Sequence, residues 1–206
     1  QFQTQKDIEI IVIDDFSTDN STNFIKKKME EDKRIKLIQH NYNQGTCLTR
    51  IHGVFLARGE FIISLDADDL LYANTTAIAY QLAHNLSSDI IDMRYELRHK
   101  NNIISNWQPC SSSFTNMNIL HKLFLNFVFR NVNWNLARKF IRTNIYQKSM
   151  NFLLPFVENK RICQAEDLLH CGVVFLLSKN FYCSHLPIYV YFFALSDASG
   201  TYQSQM

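Results

Sequence analysis

The spacing of hydrophobic and polar positions is clearest in the first hundred residues. Ile8 to Ile13 is an unbroken, β-branched apolar run that stops at Asp14-Asp15. Such a run, without alternation, predicts a strand buried on both faces, as in a parallel sheet. Asn20 or Ser21 stands where a cap is needed for a helix through Phe24, Ile25 and Met29. Ile35 to Ile38 predicts a second strand. Gly45 and Thr46 open a second helix to about Ala57, and Gly59 ends it. Glu60 to Leu65 predicts a third strand stopping at Asp66, Thr75 to Leu86 a helix capped from Asn74, and Ile90 to Leu97 a fourth strand. Strands and helices alternating over short crossovers predict an α/β fold on an open, mostly parallel sheet flanked by helices. The second half is less regular. Met117 to Phe129 and Ala165 to Leu177 read as helices, Trp134 to Ile141 and Ile188 to Phe193 as strands. With no repeat or linker, residues 1–206 are expected to form one domain.

Composition narrows the possibilities. Hydrophobic residues make up 47% and charged residues 19% of the chain, enough for a packed core. A net charge of +2 is too small for a nucleic-acid footprint, so no nucleic-acid partner is expected. Five cysteines, an odd number with no C-x-x-C pair, argue against a disulfide framework or zinc site and for a reducing compartment. Ile188 to Leu195 is too short to span a bilayer. His40, His52, His170 and His185 show no metal-ligand spacing and are expected to be structural.

The candidate chemistry lies where predicted strands end, because open α/β sheets bind ligands beyond the carboxyl ends of their strands. Asp14-Asp15 follows the first strand and Asp66-Ala67-Asp68-Asp69 the third. Five carboxylates aimed at one edge repel each other, and a divalent cation resolves that repulsion while bridging to phosphate oxygens. Acids also cap helices that follow strands, which is the simpler reading of Asp14-Asp15 alone. A calcium loop would need Gly and Glu where Leu71 and Ala77 stand. A phosphorelay receiver would need a lysine after a further strand, and none is evident.

Taken together, several segments resemble the family 2 glycosyltransferases. They are Glu9-Ile-Ile-Val-Ile-Asp-Asp-Phe-Ser-Thr-Asp-Asn-Ser, Asn43-Gln-Gly45 with Arg50 and Gly53, Ala57-Arg-Gly59, Asp66-Ala-Asp68-Asp69, Trp134-Asn135 and Glu166-Asp167. The resemblance runs from about Ile8 to about Ser199 and implies a GT-A fold. Residues 1–100 would be its nucleotide-binding half and 101–206 its acceptor side. It implies an inverting, metal-dependent transfer of a hexosyl group from a nucleotide-diphospho-sugar, UDP-linked in most relatives, to an acceptor hydroxyl. Carried over by position, Asp14, Asp15, Ser17, Asp19, Arg50, Asp66 and Asp68 would bind the donor. Asp15 would take the nucleobase N–H and Arg50 the nucleotide or its phosphates. Asp66, Asp68 and Asp69 would hold Mn²⁺ or Mg²⁺. Glu166 and Asp167 would be the catalytic pair, with Asp167 the general base. The acceptor would be a saccharide, glycolipid or glycoprotein, and the domain cytoplasmic or peripheral at the cytosolic face of a membrane.

Three departures keep a second reading open, that of a truncated or catalytically impaired nucleotide-binding module. The family has a further strand–helix unit of about 30 residues ahead of this first strand, and nothing before Ile8 supplies it. Ile51 stands where the family has Asn. Tyr189-Val-Tyr191-Phe-Phe-Ala-Leu-Ser196 lacks the Arg common in the corresponding segment.

Overall fold

A computed structural model of the chain describes residues 3–99, 102–107 and 134–192. The helix expected over Met117 to Phe129 lies outside them. In chain order the elements are β1 (Ile10–Asp14), α1 (Ser21–Glu31), β2 (Ile35–Gln39), α2 (Thr46–Leu56), β3 (Phe61–Ile63), β4 (Leu70–Leu71), α3 (Thr75–Asn85), β5 (Ile90–His99), β6 (Asn102–Trp107), β7 (Lys139–Arg142), α4 (Thr143–Val157), α5 (Glu166–Leu177) and β8 (Phe181–Phe192). The alternation expected of the first half is present, with boundaries shifted by no more than two residues.

The α/β class holds, but the expected mostly parallel sheet is corrected to a mixed one. β1 and β2 form a parallel pair, and β3-β7-β5-β8-β4 form a second sheet with β6 added to β5. Among the described residues of the larger sheet, only β5 and β8 run parallel; the β3–β7, β5–β7, β4–β8 and β5–β6 pairs are antiparallel. An apolar run reports burial on two faces and says nothing about the direction of its neighbours. The neighbours here come from the second half of the chain.

Helices cover both faces of the larger sheet, and alternation along β5 sends side chains to each. Ile90 joins a cluster with Cys47, Leu48, Ile51 and Val54 of α2, Tyr146, Met150, Leu153 and Val157 of α4, and Cys171, Val174 and Phe175 of α5. Ile91 and Met93 pack with Phe140 against Ala79 and Ala83 of α3, whose small side chains one turn apart let that helix approach closely. The sequence reading missed α4. Its buried positions Tyr146, Met150, Leu153 and Val157 carry helical spacing, but Pro155 falls inside its last turn, where it forgoes one i→i−4 hydrogen bond, and a proline ordinarily marks a helix end.

Three further features bear on the site. Glu9 accepts the amides of Arg58 and Gly59 through Oε1 and the Lys36 ammonium through Oε2, tying the start of β1 to the approach to β3. Asp92, Arg138 and Lys139 form a fully buried ion cluster in which Asp92 accepts from both cations, at 3.0 and 3.4 Å. Cys183 is disulfide-bonded, while Cys47, Cys163 and Cys171 are free. This corrects the inference from the cysteine count: an odd number leaves one thiol over but does not forbid a bridge. No helix among the described residues is long and apolar enough to cross a membrane.

Candidate functional site

Arg50 is the centre of the site. It projects from the second turn of α2, whose N-terminus is set by Gly45 at φ +88°. A Cβ there would lie 3.1 Å from both Cys163 Sγ and Ile162 O, so glycine alone fits this turn. Arg50 Nη2 donates to Asp66 Oδ1 at 2.8 Å, and Nη1 donates to Glu166 Oε1 at 2.7 Å and to Asp167 Oδ1 at 2.5 Å. Asp66 follows β3, while Glu166 and Asp167 open α5, where the helix dipole favours acids. Residues a hundred positions apart are thereby joined on one guanidinium. Burial disfavours its charge, but Asp167, Asp66 and Glu166 more than offset this and push Arg50 above the ordinary guanidinium range. The second oxygen of Asp167 accepts the Leu136 amide at 3.3 Å, which orients the carboxylate. Ala165, just before α5, has φ +58°, a left-handed conformation that costs energy for a residue with a Cβ.

The acids after β3 divide into two kinds. Asp66 is partly exposed and Asp68 is exposed. Asp69 is buried, accepting the Tyr189 hydroxyl at 2.6 Å and the Phe192 amide at 3.0 Å. Its carboxyl is pushed up to about 6, first by burial and further by Asp68 and Asp66, against the opposing pull of its two donors. Asp69 is thus an anchor between the β3–β4 turn and β8, and Asp66 and Asp68 are the exposed members of the expected metal set. No three Asp, Glu, His or Cys side chains among the described residues converge as a ligand set.

The acids after β1 also differ from one another. Asp14 is buried and its Oδ2 lies 3.4 Å from the Ser17 amide. Asp15 accepts the amides of Gln44 and Gly45 and a ring nitrogen of His40, each at 2.8 Å. Burial raises the Asp15 pKa, yet those three donors bring it below the ordinary carboxylate value. Phe16, exposed at φ +68°, makes the turn between Asp15 and Ser17. Asp19 accepts the Ser21 amide at the start of α1 and is not among the residues that converge on Arg50. The sequence reading gave no site role to Tyr189, and it took His40 and His52 as structural. The residue types carried no signal for them, because their roles depend on partners distant in sequence.

Behind the site, His170 is fully buried, 3.0 Å from the Tyr146 hydroxyl and 3.6 Å from Cys47 Sγ. Burial, with the Arg50 charge, pushes it down to about 4. The unfolded chain takes its proton near pH 6.5, so the contribution of neutral His170 is fully present above 6.5 and is lost as pH falls towards 4. Stability is expected to decline through this window by up to about 1.4 kcal/mol per pH unit from this group. Urea unfolding at pH 7.5, 5.5 and 4.5 should show a shallower decline in His170→Gln. Identical declines in both chains would remove His170 as the cause.

Comparisons with known proteins bear on the fold and the family. The fold matches crystal structures of S. aureus TarS. The complex of its 1-349 chain with UDP-GlcNAc superposes with a TM-score of 0.69 at 19% identity, over 95% of this chain and 53% of that one. The uncomplexed 1-349 chain gives 0.67 at 20% identity, over 93% and 53%. These likenesses establish the GT-A fold. The glycosyltransferase GlyG of Streptococcus pneumoniae is 32% identical over 93 residues, 45% of this chain and 31% of that protein. The Escherichia coli UDP-Glc:alpha-D-GlcNAc-diphosphoundecaprenol beta-1,3-glucosyltransferase WfaP is 39% identical over 93 residues, 45% of this chain and 35% of that protein. The aligned stretches thus span about a third of these relatives' own length. Residues 1–152 match the family model for glycosyl transferase family 2, and with close to three quarters of its length inside that match, the chain belongs to this family.

Proposed function

We propose that the chain carries the donor and catalytic site of an inverting, metal-assisted glycosyltransferase, with a UDP-sugar as donor and Asp167 as general base. The observation that carries this reading is the Arg50 bridge, which brings the D-x-D acid Asp66 and the acidic pair Glu166-Asp167 into one place. A sugar hydroxyl is a poor nucleophile at neutral pH, and a positioned carboxylate taking its proton as the new bond forms is worth roughly 10²–10⁴-fold. Attack opposite the leaving diphosphate inverts the anomeric centre with no protein nucleophile. Arg50 holds Asp167 in place and offers its charge to the diphosphate side of the site.

Charge supports a cation as part of the complete site. Three carboxylates, Asp66, Glu166 and Asp167, share the Arg50 guanidinium, Asp68 follows Asp66 exposed in the same turn, and an incoming diphosphate adds to the excess of negative charge. Asp66 and Asp68 would hold Mn²⁺ or Mg²⁺, completed by donor phosphate oxygens as is usual for such ions. Bound there, the ion would supply neutralisation of the leaving diphosphate.

UDP as the donor nucleotide is supported by the TarS complexes with UDP-GlcNAc and UDP and by the name of WfaP. A lipid-linked saccharide as acceptor, met at a membrane face, is supported by two names. WfaP acts on a diphosphoundecaprenol-linked sugar, and a Campylobacter jejuni relative 38% identical over 85 residues is a GalNAc(5)-diNAcBac-PP-undecaprenol glucosyltransferase.

Thermal unfolding with UDP and Mn²⁺ tests the donor site. At about 100 times its dissociation constant UDP adds about 2.7 kcal/mol, a rise of roughly 5–10 °C for a domain of this size. The rise is expected to need Mn²⁺ and to vanish in Asp68→Ala. A folded chain whose melting temperature ignores UDP and Mn²⁺ together would overturn the reading.

A further inference from the structure

Asp15 is the end of a partly buried chain of three titratable groups. His40, the residue after β2, has a side chain only 6% exposed, and its Nδ1 meets Asp15 Oδ1 at 2.8 Å. Its other ring nitrogen, Nε2, meets Nδ1 of His52 from the middle of α2, also at 2.8 Å. The two rings are nearly perpendicular, at 86°, with centroids 4.9 Å apart. The chain links the ends of β1 and β2 to α2, and the α2 N-terminus contributes the Gln44 and Gly45 amides to the same carboxylate.

The hydrogens on this chain follow from its ends. An ionised carboxylate only accepts, so His40 Nδ1 carries a hydrogen. One hydrogen then lies between His40 Nε2 and His52 Nδ1, on either atom. With both rings neutral, His52 donates to His40. With one extra proton on the pair, the same 2.8 Å contact survives in either direction. A second extra proton places N–H against N–H, and the contact breaks. Asp15 faces the pair from β1, and burial, His40 and Asp15 are the influences on His52. Burial and the neighbouring ring hold the His52 pKa below the ordinary imidazole value against the pull of Asp15, so the doubly charged pair belongs to acid solution.

We propose that His40 and His52 are positioning residues for donor recognition, an imidazole pair that fixes the Asp15 carboxylate and makes nucleotide affinity depend on how many protons the pair holds. The proposal rests on the reading that Asp15 faces the donor nucleobase. Oδ1 of Asp15 is filled by His40 and Gln44, which leaves one acceptor position on Oδ2 beside the Gly45 amide. A carboxylate held on three sides offers that position in one fixed direction. Breaking the imidazole pair releases His40, and with it the rotation of Asp15.

The test has a spectroscopic part and a binding part. In ¹⁵N–¹H long-range spectra of the full chain at pH 7.5, both rings are expected to be neutral and protonated at Nδ1. On acidification His52 should take its extra proton only below the ordinary imidazole range. A neutral His40 protonated at Nε2, or a His52 that titrates at the ordinary imidazole value, would overturn the proposal whether or not any variant folds. UDP affinity, measured with Mn²⁺ by calorimetry from pH 7.5 to 4.5, is expected to fall by up to about tenfold per pH unit on the acid side from one linked proton. This component, taken as the difference from His52→Leu so that titration of UDP itself cancels, should be absent in the variant. Superimposable profiles for the two chains, in a protein whose Asp15→Asn variant has lost UDP affinity, overturn the pair's role alone. Unchanged UDP affinity in Asp15→Asn overturns the donor reading of Asp15 and the proposal with it.

Discussion

Asp167→Asn is expected to slow sugar transfer by about 10²–10⁴-fold with little change in UDP affinity. The substitution keeps the shape of the side chain and an oxygen to accept from Arg50, but it removes the group that takes the acceptor proton. It also turns an amide NH₂ towards the Leu136 N–H that Asp167 now accepts at 3.3 Å, a loss of about 1 kcal/mol. The melting temperature should therefore fall by only a few degrees, which keeps a folding defect separate from a chemical one. Transfer would be followed from labelled UDP-sugars to a lipid-linked saccharide, with UDP affinity measured on the same sample. A variant that transfers at the parental rate would sink the assignment of Asp167. Loss of UDP affinity would instead place Asp167 in donor binding.

The largest expected loss of stability comes from a residue outside the site. Asp92→Ala removes the carboxylate that Arg138 and Lys139 share, and all three side chains are 1–2% exposed. Two cations then lose the carboxylate that they share in a low-dielectric interior. Breaking a buried pair in this way costs about 3–5 kcal/mol, a fall of roughly 6–20 °C in melting temperature for a chain of this size. Arg138→Met makes the contrast. Arg138 Nε and Nη1 are buried without a hydrogen-bond partner, so its removal discards two unsatisfied donors and leaves Asp92 and Lys139 as a balanced pair. Arg138→Met should therefore be much milder than Asp92→Ala, as read by thermal and urea unfolding. Equal losses in both variants would mean that packing around Arg138, including its approach to the Tyr95 ring at 5.5 Å, outweighs the charge argument.

The site is built differently from this cluster. Arg50 and its three acids keep some contact with solvent, with side chains 13–40% exposed, which lets a charged ligand compete for them. The Asp92 cluster is closed, and its charges serve the fold.

Local pattern was sufficient for much of this. The strands before Asp14 and Asp66, the helix opened by Gly45 and the helix headed by Glu166-Asp167 were legible because each is a short-range property. An apolar run, a left-handed glycine and an acid at a helix start leave their marks within a few residues. The order of these motifs along the chain was likewise enough to point to the family. The direction of strands within the sheet was not legible, because burial leaves the same pattern beside parallel and antiparallel neighbours. α4 was not legible although its buried positions recur at helical spacing, because Pro155, which forgoes one hydrogen bond in the last turn, ordinarily marks a helix end.

Within the site, sequence determined which acids were candidates, and tertiary structure decided what each one does. Asp66, Asp68 and Asp69 are equivalent as letters. Only the arrival of Tyr189 and the Phe192 amide from β8 turns Asp69 inward and leaves the other two exposed. Asp15 was recognisable from its motif, but its anchoring by His40, and that of His40 by His52, joins residues 12 to 25 positions apart. Arg50 reaches Glu166 and Asp167 across more than a hundred residues. The physical reason is the same in each case. Strand and helix formation respond to neighbours in the chain, whereas a carboxylate's role is set by whichever donors and charges the folded chain brings within about 3 Å of it.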